Sequence, residues 1–175
     1  MGNLSSRNST EDIRKAIYSK KRAKHASSFG MKNTRRLYRV FFDTSVLLSG
    51  LNSPQGASGV ILSLFKLKRI VPAVSPEVLV EAERVMRIKF SYLATPFLDF
   101  LSSNPMVSHK LSAKDIQRAY RLVPSEDAPI FAGALKSKAD FLVTLDKSFE
   151  KLAQGKAGIK TMSPGVSLRF YKLSD

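Results

Sequence analysis

The stretch Arg39-Val40-Phe41-Phe42-Asp43-Thr44-Ser45-Val46-Leu47-Leu48 decides how this chain is read. Val40 to Phe42 form a short apolar run of the kind that becomes a buried strand. Asp43 then stands at the strand's carboxyl end, where open α/β sheets place their chemistry. A charge left there against an apolar strand and helix must be neutralised, hydrogen-bonded or bound to a metal.

Outward from this stretch, apolar runs alternate with helical patterns, the rhythm of a parallel sheet covered by helices on both faces. Strands are expected at Val40 to Phe42, Ile70 to Val74, Met106 to Ser108, Phe141 to Leu145 and Ile159 to Met162. Ser75-Pro76-Glu77 starts one helix, and Ser112-Ala113-Lys114-Asp115 has a capping-box pattern before another. With 175 residues, of which 43% are apolar, the chain holds one ordinary domain plus a tail. We divide it into a basic N-terminal extension, residues 1–38, and a domain, residues 39–175.

Composition narrows the chemistry. The chain has no Cys, which excludes disulfides, zinc–thiolate sites and thiol nucleophiles. His25 and His109 are its two histidines, too few and too far apart for His-rich metal sites or a His-based triad. No segment has the apolar length of a membrane span or a signal peptide, so the expected setting is the cytoplasm, with no membrane partner. The formal charge is +15, and residues 1–39 hold 11 Lys or Arg against Glu11 and Asp12. A polyanion such as RNA suits that balance, because Lys and Arg that neutralise phosphates release counterions. A solubilising arm is the competing reading of the tail. Ser9-Thr10-Glu11-Asp12 resembles the start of a short basic helix, Ser27-Ser28-Phe29-Gly30 reads as a linker, and Met1-Gly2-Asn3-Leu4-Ser5-Ser6 fits the N-myristoylation pattern.

The acids of the domain can be sorted by helical rotation of about 100° per residue. On the helix from Pro76 to Lys89 the apolar stripe runs through Val78, Leu79, Ala82, Val85 and Met86. Glu81 lies about 85° from its centre, whereas Glu77 and Glu83 lie farther round. Glu77 is accounted for as a favourable charge in the first turn. In the helix expected from Glu126 to Lys138, Asp127 precedes Ile130, Phe131 and Ala134 at helical spacing and falls on the apolar stripe. With Pro129 close behind, Asp127 also reads as an N-cap, and an acid at a helix start can face a site as well. Of the two acids flanking Phe141 to Leu145, only Asp146 lies at the carboxyl edge with Asp43; Asp140 is then a solvated or capping acid at the opposite edge.

Asp43, Glu81, Asp127 and Asp146 can therefore converge at one edge of one sheet. Hard oxygen ligands without His or Cys suit Mg²⁺ or Mn²⁺, which keep several waters and offset charge on phosphate oxygens during in-line displacement. Hydrolysis of a phosphodiester uses all these parts.

Four segments carry a resemblance: Phe42-Asp43-Thr44-Ser45-Val46-Leu47, Ser75-Pro76-Glu77-Val78-Leu79-Val80-Glu81, Asp127-Ala128-Pro129-Ile130-Phe131-Ala132-Gly133-Ala134, and Ala139-Asp140-Phe141-Leu142-Val143-Thr144-Leu145-Asp146. In this order the chain resembles the PIN-domain nucleases, and most of all the toxin components of toxin–antitoxin pairs. The resemblance implies an α/β, Rossmann-like three-layer fold with a mainly parallel five-stranded sheet and helices on both faces. It further implies Mg²⁺- or Mn²⁺-dependent ribonuclease activity on RNA, a homodimer, and inhibition by a small antitoxin protein. Carried over by residue, it assigns Asp43, Glu81, Asp127 and Asp146 as the catalytic, metal-binding acids and Thr44, Ser45 and Thr144 as supporting groups. Ser45 departs from the Asn common in the family, and Pro129 leaves the orientation of Asp127 open.

Other phosphate chemistries fit less well. A haloacid-dehalogenase-like phosphatase needs a second Asp where Ser45 stands, and Gly50, Gly56 and Gly59 do not make a phosphate-cradling loop. The rivals that keep the same fold are a non-catalytic PIN-like module that binds RNA or protein, and a nuclease acting on DNA.

Overall fold

In the computed structural model, residues 37–172 are described. The expectations for the basic helix, the linker and the myristoylation pattern lie outside them. Five strands, β1 (Arg39–Phe42), β2 (Val71–Val74), β3 (Met106–Val107), β4 (Phe141–Val143) and β5 (Lys160–Met162), form one sheet in the order β3-β2-β1-β4-β5. Every pairing is parallel. Eight α-helices accompany them among the described residues: α1 (Thr44–Asn52), α2 (Ala57–Lys66), α3 (Pro76–Lys89), α4 (Ala94–Ser102), α5 (Ala113–Leu122), α6 (Ala128–Lys136), α7 (Lys147–Ala153) and α8 (Pro164–Lys172).

The opening stretch behaves as read. β1 is the central strand, and Val40, Phe41 and Phe42 are all 0% exposed because it is paired on both edges and covered on both faces. Successive strands step one way from β1 to β2 to β3 and the other way from β4 to β5. Right-handed crossovers therefore put helices on both faces, and the direction reverses between β1 and β4. In open α/β sheets that reversal opens a crevice at the carboxyl ends of the two strands.

Helix starts follow the expected local chemistry. Ser75 Oγ accepts from the Val78 amide at 3.4 Å ahead of Pro76 in α3. In α5 the capping box is complete: Asp115 N donates to Ser112 Oγ (3.2 Å) and Ser112 N donates to Asp115 Oδ2 (2.8 Å). Asp140, at the amino edge, accepts from the Arg39 amide at 2.8 Å, which ties the start of β1 to the start of β4.

Boundaries differ from the sequence expectation by one residue at β1, β2, β3 and β5 and by two at β4 and at each end of α6. β4 ends at Val143 rather than Leu145, because side chains take over from the ladder: Leu145 N donates to Ser45 Oγ and Asp146 N to Thr144 Oγ1. α6 spans 128–136 rather than 126–138, and Lys138 just beyond it turns left-handed at φ 54°. On α3, Glu83 lies far from the apolar stripe by helical rotation, yet its Oε1 is buried without a hydrogen-bond partner, as is Glu77 Oε2. The helix packs against both α1 and α6, so its covered side is wider than one stripe.

Gly133 lets α6 press onto the carboxyl ends of β1 and β2. A Cβ there would stand 2.8 Å from Phe41 Cζ and 2.9 Å from Ser75 Cβ, and Phe41 and Ser75 are both fully buried. Gly133→Ala is expected to destabilise the protein by about 1–3 kcal/mol through overpacking, measurable by chemical denaturation. An unchanged midpoint would show that α6 shifts outward without resistance.

Candidate active site at the carboxyl rim of the sheet

The crevice between β1 and β4 is lined by the residues that follow those strands. Asp43 N donates to Val143 O at 3.1 Å, which holds the start of α1 against the end of β4. The Asp43 carboxylate is fixed through one oxygen: Oδ2 accepts from Ser45 Oγ and from Thr144 Oγ1, each at 2.7 Å. Thr144 is 0% exposed, and its Oγ1 also accepts from the Asp146 amide at 3.0 Å. Ser45 Oγ accepts from the Leu145 amide at 3.3 Å. Two hydroxyls thus tie the loop after β1 to the loop after β4, about 100 residues away.

Asp146 opens α7. Its Oδ1 accepts from Ser148 N (2.7 Å) and Phe149 N (2.9 Å), an N-cap that the sequence reading did not assign. Glu81, one turn into α3, accepts from Thr44 Oγ1 at Oε2 (2.8 Å), and the Thr44 side chain is almost fully buried. Asp43, Glu81 and Asp146 share one pattern. One oxygen of each is held by hydroxyl or amide donors, and the other accepts no hydrogen bond among the described residues.

Asp127 corrects one expectation. It sits immediately before α6 at φ −81° and ψ 0°, and its side chain makes no cap hydrogen bond. Its amide donates to Ser125 Oγ at 3.2 Å, which ties the loop just before α6. Ser125 Oγ also lies 3.4 Å from Asp127 Oδ2, a long contact. Burial pushes the Asp127 carboxyl above its ordinary pKa, and the negative charges of Asp146 and Asp43 add to the rise. Asp127 is therefore within electrostatic reach of Asp43 and Asp146. Glu81 is tied to Thr44, the residue after Asp43.

Among the described residues, no three His, Asp or Glu side chains close on a single point in the manner of a complete metal cage. The donor chemistry nonetheless fits a hard divalent cation that takes one or two carboxylates and retains its waters. The oxygens that would meet it belong to Asp43, Asp127, Asp146 and Glu81, supported by Thr44, Ser45 and Thr144. Ser125 was not singled out from sequence; a Ser two residues before an acid in a loop is a weak sign until the fold shows what the loop approaches.

No helix among the described residues is long and apolar enough to cross a membrane. A search of curated proteins by sequence finds no match. Solved structures do match in fold. PAE2754 from Pyrobaculum aerophilum superposes with a TM-score of 0.55 at 15% identity, covering 78% of this chain and 98% of its own. VapBC2 from Rickettsia felis, solved bound to a DNA fragment from its promoter, gives a TM-score of 0.51 at 18% identity, covering 71% of this chain and 98% of its own. The sequence matches the PIN domain over residues 39–148, a span that runs from the first residue of β1 past Asp146 and includes all four acids. The chain belongs to the PIN domain family.

Proposed function

We propose that this protein is a metal-dependent endoribonuclease that hydrolyses RNA phosphodiester bonds at the crevice between β1 and β4. The observation that carries the reading is the set of carboxylates at the sheet's switch point, each oriented through one oxygen with the other left for a ligand. Mg²⁺ or Mn²⁺ held by Asp43, Glu81, Asp127 and Asp146 would supply a more acidic water and offset charge on the phosphate oxygens. Thr144 and Ser45 hold the Asp43 carboxylate in one rotamer, Thr44 does the same for Glu81, and the cap on α7 fixes Asp146. Burial raises the Asp127 pKa, with the charges of Asp146 and Asp43 adding to the rise, which suits an acid that meets other acids at a functional site.

Within the same reading residues 1–38 are a basic extension and 39–175 the nuclease domain, which works in the cytoplasm, dimerises and is restrained by a small antitoxin. Likeness of fold to VapBC2 supports the toxin–antitoxin setting. The test is incubation of the purified chain with transfer, ribosomal and messenger RNA in Mg²⁺, Mn²⁺ or EDTA. Cleavage that requires the metal supports the proposal. One observation favours the non-catalytic alternative, namely that no three acids close on one point among the described residues. RNA bound but uncut in both metals would select that alternative.

Thr144→Val isolates the positioning of Asp43. It removes the 2.7 Å donor to Asp43 Oδ2 and the acceptor for the Asp146 amide while preserving shape. Single-turnover cleavage is expected to slow by about 10–100-fold, as for other groups that orient metal ligands. Wild-type rates in this variant would remove Thr144 from the site's support.

A further inference from the structure

Helix α5 carries exposed cations in register. Lys114, Arg118 and Arg121 lie four and then three residues apart, on one side of the helix, and all three are exposed. Ala119 is fully buried on the other side, and Ile116 and Leu122 pack against the core. Asp115, the sole acid within α5, is turned away from the stripe. Its carboxylate is held by the Lys136 ammonium and by Ser112, which together keep it well below the usual carboxylate range. Lys114, Arg118 and Arg121 make no ion pair among the described residues. Tyr120, 55% exposed, lies in the helix's last turn on its flank, about 100° round from Arg121.

The direction of the helix gives this face its meaning. Asp115, in the first turn of α5, meets Lys136, the last residue of α6, so the two helices run antiparallel. The last turn of α5 therefore lies where α6 begins, beside the loop that delivers Asp127. The stripe leads from Lys114 near the amino edge of the sheet to Arg121 at the rim that holds the acids. Neighbouring cations on it have Cβ atoms about 5–6 Å apart, a spacing on the scale of successive phosphates in an extended strand. On α3 the exposed cations Arg84 and Arg87 are interleaved with exposed Val80 and Ile88, a less uniform charge.

We propose that the outward face of α5, formed by Lys114, Arg118 and Arg121 with Tyr120 on the helix flank, is the track on which single-stranded RNA lies as it enters the crevice. The cations neutralise successive phosphates, and the Tyr120 ring offers a base a surface for stacking near the rim. The occupant is chosen by charge complementarity and by the track's end at the site. The proposal rests on the nuclease reading only for what happens after binding.

The test uses the full chain carrying Asp43→Asn, in EDTA, so that binding is read without cleavage. The triple variant K114E/R118E/R121E is compared with K66E/K89E/K156E, three exposed lysines at the opposite edge that change net charge equally. Expected for the α5 variant is a Kd for an RNA of about 20 nucleotides weakened at least about tenfold, and a salt dependence shallower by about 2 in log–log slope. The control should change by less than half as much. Tyr120→Ala, which leaves the charge intact, should weaken binding by several-fold on its own. In the active protein, the α5 variant should raise KM for the long RNA and leave cleavage of a trinucleotide unchanged. Equal losses in the α5 and control variants would overturn the track in favour of diffuse charge. An unaltered Kd and slope would overturn it too, and would leave the face to an acidic protein. Absence of cleavage in every variant would count against the nuclease reading alone, since the binding arm stands without it.

Discussion

Asp43→Asn is expected to reduce metal-dependent RNA cleavage by about 10³-fold or more while leaving the fold in place. The effect should exceed that of any other single conservative change, because Asp43 has two ties that no other acid has. It follows the central strand β1, whose apolar residues are fully buried, and its Oδ2 accepts from hydroxyls on both sides of the switch point. An amide keeps an oxygen for those donors and loses the charge that a divalent cation requires. Cleavage rates of wild type and variant in Mg²⁺, in Mn²⁺ and in EDTA decide the matter. Wild type in EDTA should match the variant in metal. Retained cleavage in Asp43→Asn, with the same cut sites, would place the chemistry elsewhere.

The second large effect is a trade-off at Asp127. Burial raises its pKa, with the charges of Asp146 and Asp43 adding to the rise, so the folded state binds this proton more tightly than the unfolded chain does. The sign follows from linkage. Stability falls as pH rises from the ordinary carboxyl value through the raised folded value, and the penalty is fully present above that. Asp127→Asn removes the penalty and costs no cap, since the Asp127 side chain makes none. In metal-free buffer the variant should melt about 2–4 °C higher than wild type at neutral pH. The difference should shrink as pH falls through the raised folded value and vanish only below about 3, where the carboxyl is protonated in both states. Cleavage should also fall in the same variant, though by less than in Asp43→Asn, a gain in stability where function is given up. Differential scanning calorimetry across pH, with and without Mg²⁺, measures this. A lower melting temperature at neutral pH, or a gain that does not change with pH, would show that the acids do not repel Asp127 as described.

Both effects depend on groups whose identities were readable and whose relations were not. Rotation around α3 placed Glu81 toward the buried side, and its bond to Thr44 agrees with that position. The same rotation misjudged Glu83, because a helix wedged between α1 and α6 is covered over more of its circumference than its own periodicity shows. For Asp127 the expected cap is absent: its backbone is helical rather than extended, and Pro129 at the second helical position has no N–H to offer the carboxylate. Asp146 is the converse, an unannounced cap.

From sequence alone came the apolar runs that became the five parallel strands, the capped starts of α3 and α5, the candidate acids, and the separation of Asp140 from Asp146 across the sheet. These are legible because strand burial, helix periodicity and capping act over a few residues, where the chain's own order sets the neighbours. Only the tertiary structure decided which oxygen of each carboxylate is held, that Asp43 and Thr144 meet across 101 positions of chain, and that the start of α5 is pinned to the end of α6. Those contacts depend on strand order and helix direction. A one-dimensional pattern does not encode either, because the energy that selects them comes from packing the whole sheet at once.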